Sequence, residues 1–100
     1  MAIWFVSRHP GAVEWIQRHG PPVDRVVDHL DLADVRRGDT VIGTLPVHLA
    51  AAVCTRGARY LHLVVDVSPG ERGRELTADD LERLGARLVV YRVFPEEASP

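Results

Sequence analysis

The sequence contains no lysine; all twelve of its cationic side chains are arginine. That absence excludes lysine Schiff-base chemistry and the lysine of a P-loop, and it leaves only planar guanidinium forks, which suit bidentate contacts to phosphate. The single cysteine, Cys54, cannot close an intramolecular disulfide and lacks the neighbours of a zinc motif. It falls in the apolar run Leu49-Ala50-Ala51-Ala52-Val53-Cys54, where a small buried thiol is expected. GxGxxG, P-loop and GxSxG patterns are all missing, and no His, Cys and carboxylate cluster has metal-ligand spacing. Neither a cofactor nor a metal is therefore expected, and any catalysis should be metal-free. Long hydrophobic runs are also lacking. The apolar start, Met1 to Val6, has no basic flank and is too short for a signal peptide or a membrane span, so a cytoplasmic protein with no membrane partner is expected. A formal charge of −2 argues against a duplex DNA partner, because non-specific duplex binding needs a basic surface.

What is present is an ordinary globular composition, 46% hydrophobic and 26% charged over 100 residues. A chain of this length buries roughly two-thirds of the surface its unfolded form exposes, enough for one core. A single domain over residues 1–95 is expected, with a polar, disordered tail over 96–100.

Ala2 to Val6 reads as a buried strand, being continuously apolar and rich in aromatic and β-branched residues. Pro10 and Gly11 then open a helix whose Ala12, Trp15, Ile16 and His19 share one face, and Gly20-Pro21-Pro22 stops it. Arg25 to Leu30 is a weaker strand at an edge. Leu32 to Val35 suits one short helical turn, and Arg36 to Asp39 a tight turn. Thr40 to Gly43 is a short central strand, and Thr44-Leu45-Pro46 begins a helix that Gly57 ends. Tyr60 to Val67 is the clearest strand. Ser68 to Glu75 is a polar loop, Thr77 and Asp80 form a capping box for a third helix ended by Gly85, and Arg87 to Val93 is the last strand. Alternating strands and helices predict an α/β, Rossmann-like, mostly parallel five-stranded sheet with about three helices. The expected order is 2-1-3-4-5, which reverses between the first and third strands and opens a crevice at their carboxyl ends.

Two loops would border that crevice. Ser7-Arg8-His9-Pro10-Gly11 joins a hydroxyl, a guanidinium, an imidazole and a helix N-terminus, whose free N–H groups and dipole favour anions. Arg8 can grip a phosphate with two parallel hydrogen bonds, Ser7 can donate one more, and His9 offers the usual general acid or base near neutral pH. The same residues would serve equally as a helix cap and a solvated arginine, and spacing does not choose between the two. Gly43, Thr44 and Leu45 form the second loop, where capping by Thr44 is the simpler role. In the third loop Arg72, Arg74 and Glu75 could fold over a ligand or merely be solvated. His48 is an outside candidate for the crevice, and His62 should find a hydrogen-bond partner in the core.

Trp4-Phe5-Val6-Ser7-Arg8-His9-Pro10-Gly11-Ala12, Gly38-Asp39, Gly43-Thr44-Leu45-Pro46 and Arg72-Gly73-Arg74-Glu75-Leu76 together closely resemble the small Csx-type CRISPR-associated proteins of type III systems, the Csx-sixteen group. The resemblance covers about residues 3 to 93. It implies a ring nuclease with a fold related to CARF domains. Such a protein acts as a homodimer that binds cyclic tetra-adenylate on its two-fold axis and cleaves it to linear di-adenylates ending in 2′,3′-cyclic phosphate, switching off antiviral signalling. On that reading Arg8 and His9 are catalytic, Arg8 carrying phosphate charge and His9 moving a proton. Ser7, Pro10, Gly11, Gly43, Thr44 and Leu45 hold the phosphate, and Arg72 and Glu75 close over adenine or ribose. Two alternatives stay open: a protein that holds the ring without cutting it, and an interaction subunit of an effector that uses no nucleotide.

Overall fold

The computed structural model describes residues 1–98. Strands β1 (Ile3–Val6), β2 (Arg25–Val27), β3 (Thr40–Gly43), β4 (Arg59–Val64) and β5 (Arg87–Tyr91) alternate with helices α1 (Pro10–His19), α2 (Val47–Thr55) and α3 (Ala78–Arg83). They form one sheet in the order β2-β1-β3-β4-β5, the expected order. The protein is thus an α/β, Rossmann-like domain. None of its helices is long and apolar enough to cross a membrane, among the described residues.

Both sheet faces are covered, which is why the central strands read as unbroken apolar runs. Trp4, Val41 and Tyr60 lie in register on one face and pack with Ala50 and Val53 of α2 and with Val35. Phe5 and Ile42, one residue further along, point the other way and pack with Trp15 and Ile16 of α1 and with Ala78 and Leu81 of α3. The expected face of α1 is buried at Trp15 and Ile16, whereas His19 is exposed and bonds Glu82 Oε1 at 2.6 Å.

The strands β2, β1, β3 and β4 pair in parallel, and β5 runs antiparallel to β4. β5 starts beside the end of β4, where Arg87 pairs with Val64, and runs back along it, so the chain between the two strands makes no crossover.

Several boundaries are narrower than expected. β4 stops at Val64 and β5 at Tyr91, because pairing between them runs only from Tyr60–Tyr91 to Val64–Arg87. β2 keeps three residues and leaves His29 exposed. α2 starts at Val47 with Pro46 as its N-cap, in extended conformation, and makes no side-chain cap bond. Thr44 therefore does not cap it. The residue before a proline is held out of helical geometry, and Leu45 N–H is in any case bonded to the Tyr60 hydroxyl at 2.9 Å. Cys54 is half-buried, its thiol 3.9 Å from the Tyr91 carbonyl. Of the expected tail, Glu96–Ala98 forms a 3-10 turn, and residues 99–100 lie outside the described residues.

Candidate active site

β1 and β3 end side by side, with Val6 opposite Gly43, and the chain leaves them in opposite directions, to α1 and to α2. A crevice of about 220 Å³ opens at this point on the α1 and α3 side. Its floor is apolar, made by Phe5, Leu63, Leu76 and Leu81, and its polar rim consists of Ser7, His9, Thr44, Arg74 and Glu75. Gly43 lies at the seam of the two strands, where a Cβ would stand 2.9 Å from the Val6 carbonyl oxygen.

The loop from β1 to α1 is held by short bonds. Ser7 N–H donates to the Val27 carbonyl at 3.0 Å, and the Ser7 Oγ accepts from His9 N–H at 3.1 Å. His9 occupies the N-cap position of α1 in extended conformation, with Pro10 following it and no side-chain cap bond. Its carbonyl accepts from the N–H groups of Ala12 and Val13. Ala12 and Val13 are thus served by backbone, and the His9 imidazole is left for another partner. That partner is Glu75, 66 residues later, whose oxygens lie 3.2 and 3.3 Å from Nδ1. A carboxylate only accepts, so Nδ1 carries the proton, and in the neutral ring Nε2 is the basic nitrogen.

The structure brings Ser7, His9, Gly43, Thr44 and Glu75 together around one crevice. Arg8 and Pro10 are exposed and do not line it; nor do Gly11, Leu45 and Arg72. Gly11 has a packing role instead. A Cβ there would lie 2.0 Å from the Leu76 carbonyl oxygen and 3.0 Å from the Thr77 carbonyl carbon, so the first turn of α1 touches the chain entering α3 backbone to backbone. His48 does not line the crevice, and His62 bonds the Tyr60 hydroxyl at 2.7 Å.

The loop before α3 is more than a solvated segment. It contains a 3-10 turn, Pro69–Glu71, and its Glu71 and Arg74 are ion-paired to Arg83 and Asp80 of α3. Donors from Arg83 and Ser68 hold the Glu71 carboxyl below its ordinary range. The Thr77 backbone N–H, followed by Arg83, lowers that of Asp80 well below the usual carboxylate range. The expected capping box is present, Thr77 and Asp80 exchanging bonds of 3.0 and 3.1 Å.

The model of the family described as "Putative CRISPR-associated protein (Cas_VVA1548)" matches residues 4–94. The chain belongs to this CRISPR-associated family. No curated protein and no solved structure matches it. The span shared with the family contains every residue that lines the crevice. Arg74, read from sequence as one of three loop residues that could fold over a ligand, does line the crevice, whereas the apolar lining residues Ala12, Leu63, Leu76 and Leu81 were not anticipated. No group of three His, Cys, Asp or Glu side chains among the described residues is arranged to hold a metal ion.

Proposed function

We propose that this CRISPR-associated protein is a ring nuclease of the Csx-sixteen type, which cuts cyclic oligoadenylate, with cyclic tetra-adenylate as its substrate, and so switches off type III antiviral signalling. The observation that carries the reading is His9 held through Nδ1 by Glu75 at the rim of a crevice at the sheet's switch point, where α/β proteins of this order take their ligands. His9 Nε2 takes the proton of a ribose 2′-hydroxyl as that oxygen attacks the neighbouring phosphorus. The bond from phosphorus to the 5′-oxygen breaks, the leaving oxygen takes a proton from water, and His9 returns its own proton to solvent before the next cut. Two such cuts give two linear di-adenylates, each ending in 2′,3′-cyclic phosphate. Ser7 and Thr44 position the phosphate, and alignment of the intramolecular nucleophile supplies much of the acceleration, about 7–11 kcal/mol in ideal cases. Glu75, which was expected to reach adenine or ribose, instead orients the histidine.

Crevice size favours a homodimer. Pockets for drug-sized ligands run to roughly 300–1,000 Å³, and the 220 Å³ of one chain falls short of a four-nucleotide ring. Two copies related by a two-fold axis would share the symmetric ligand, the arrangement that the sequence resemblance implies.

The test is incubation of excess cyclic tetra-adenylate with the protein in EDTA, with the products resolved by chromatography. Linear di-adenylate 2′,3′-cyclic phosphate is expected. An intact ring after many equivalents would leave only the binding function, and cleavage abolished by EDTA would refute the metal-free mechanism. Failure of the ring to raise the melting temperature would point to the interaction subunit, since a ligand at 100 times its Kd adds about 2.7 kcal/mol.

A further inference from the structure

Beside the crevice, two arginines share the same two carboxylates. Arg74 donates from Nη2 to Glu71 Oε2 at 3.0 Å and from Nη1 to Asp80 Oδ2 at 3.2 Å. Arg83 Nη2 donates to the same Glu71 oxygen at 2.7 Å and to Asp80 Oδ1 at 3.2 Å. Glu71 also accepts from the Ser68 hydroxyl, and Asp80 from the Thr77 N–H. Each carboxylate therefore keeps Arg83 and a local donor if Arg74 leaves. Of the two arginines only Arg74 lines the crevice, on the same rim as His9 and Glu75.

We infer that Arg74 is the phosphate-binding cation of the crevice, turning from Glu71 and Asp80 to a phosphodiester of the ligand while Arg83 keeps both carboxylates paired. This rests on the reading of the crevice as a phosphodiester site. Arg74 is about half exposed, so it can turn without leaving a buried position. A guanidinium presents the same fork to phosphate as to carboxylate, which makes the exchange one charge-assisted pair for another. The cost that would oppose it is two carboxylates stripped of their cation, and Arg83 removes that cost. Arg8, given this role by the family resemblance, is exposed outside the crevice and makes no ion pair among the described residues.

The test is calorimetric titration of cyclic tetra-adenylate into the wild type, Arg74→Ala, Arg83→Ala and the double variant. Arg74→Ala should weaken binding by about tenfold or more, the loss typical of a charged hydrogen bond, with little change in melting temperature because Arg83 remains. Arg83→Ala should also weaken binding, although it does not line the crevice, because Arg74 is then the sole arginine on two carboxylates. In the Arg74→Ala background, Arg83→Ala should change nothing further. Equal losses from Arg83→Ala in both backgrounds, or unchanged affinity in Arg74→Ala, would overturn the inference. If Arg83→Ala does not fold, Glu71→Gln decides: it loosens the hold on Arg74 and should tighten binding, and weaker binding refutes the exchange. Failure of the wild type to bind the ring would end the functional reading alone, and the same proteins titrated with inorganic pyrophosphate would then test the arginine exchange. Absence of binding to both probes overturns it.

Discussion

Asp39 offers the sharpest test of how the sheet is tied together. It stands at the end of the sheet opposite the crevice, 4% exposed, and accepts three hydrogen bonds. Oδ1 takes Ala2 N–H at 2.9 Å, while Oδ2 takes Arg36 N–H at 2.9 Å and Trp4 Nε1–H at 3.2 Å. Asp39→Asn keeps the shape but turns one oxygen into a donor. Even in the better amide orientation, with the oxygen toward Arg36 and Trp4, Ala2 N–H faces another donor. Each orphaned buried group costs about 1–3 kcal/mol, more where donors face each other. A loss of about 2–3 kcal/mol follows, and at about 4–8 °C per kcal/mol for a domain of this size the melting temperature falls by roughly 10–20 °C. Urea unfolding of the full chain, followed by tryptophan fluorescence, measures it. Trp4→Phe in the Asn background should be less than additive, because the donor it removes shares the acceptor. A change below about 0.5 kcal/mol, the range of ordinary surface substitutions, would refute this account. The charge adds a pH signature. The Arg36 N–H first, then that of Ala2, holds the Asp39 carboxyl below its ordinary value. A depressed folded pKa contributes stability that is complete above the unfolded pKa, about 3.9, and is lost as pH falls through the folded value. Wild-type stability should decline below about pH 4, and the Asn variant should lack the part due to Asp39.

Gly11→Ala should destabilise by about 1–3 kcal/mol or more, since the 2.0 Å approach is to backbone that cannot step aside; an unchanged unfolding midpoint would sink the packing role. His9→Ala should lower ring cleavage by about 10²–10⁴-fold, and Glu75→Ala by less, in kcat rather than KM; equal turnover in both variants and the wild type would remove the pair from the mechanism. Independently of activity, Glu75→Ala should shift the His9 ring tautomer seen by nitrogen NMR, because its Nδ1–H acceptor is gone. Thr77→Ala breaks the capping box and should cost about 1 kcal/mol, read by thermal unfolding.

The central strands and the sheet order were legible because physical period and burial agree there. Residues such as Phe5 and Ile42 are wholly buried, and a strand covered on both faces must be apolar throughout. Strand ends were less legible. Tyr60 to Val67 continues apolar past Val64, but the strand stops where β5 stops pairing, and Asp66 N–H already bonds the Leu84 carbonyl. The antiparallel direction of β5 had no local signal: alternating strands and helices suggest parallel crossovers throughout, whereas β5 starts beside the end of β4, where Arg87 pairs with Val64.

The site was legible in part. The turn into α1 could be read from Pro10, but the bond from His9 to Glu75 spans 66 residues and has no local signal. Gly11 shows where local reading misleads. A glycine at a helix start announces a close approach without saying to what, and phosphate was the natural guess. The partner is the backbone of Leu76 and Thr77. Those residues directly follow Glu75, so the contact that excludes a side chain at Gly11 also lays the Glu75 segment along the first turn of α1. Gly11 thus acts on the site at one remove, by letting the carboxylate reach the histidine two residues before it.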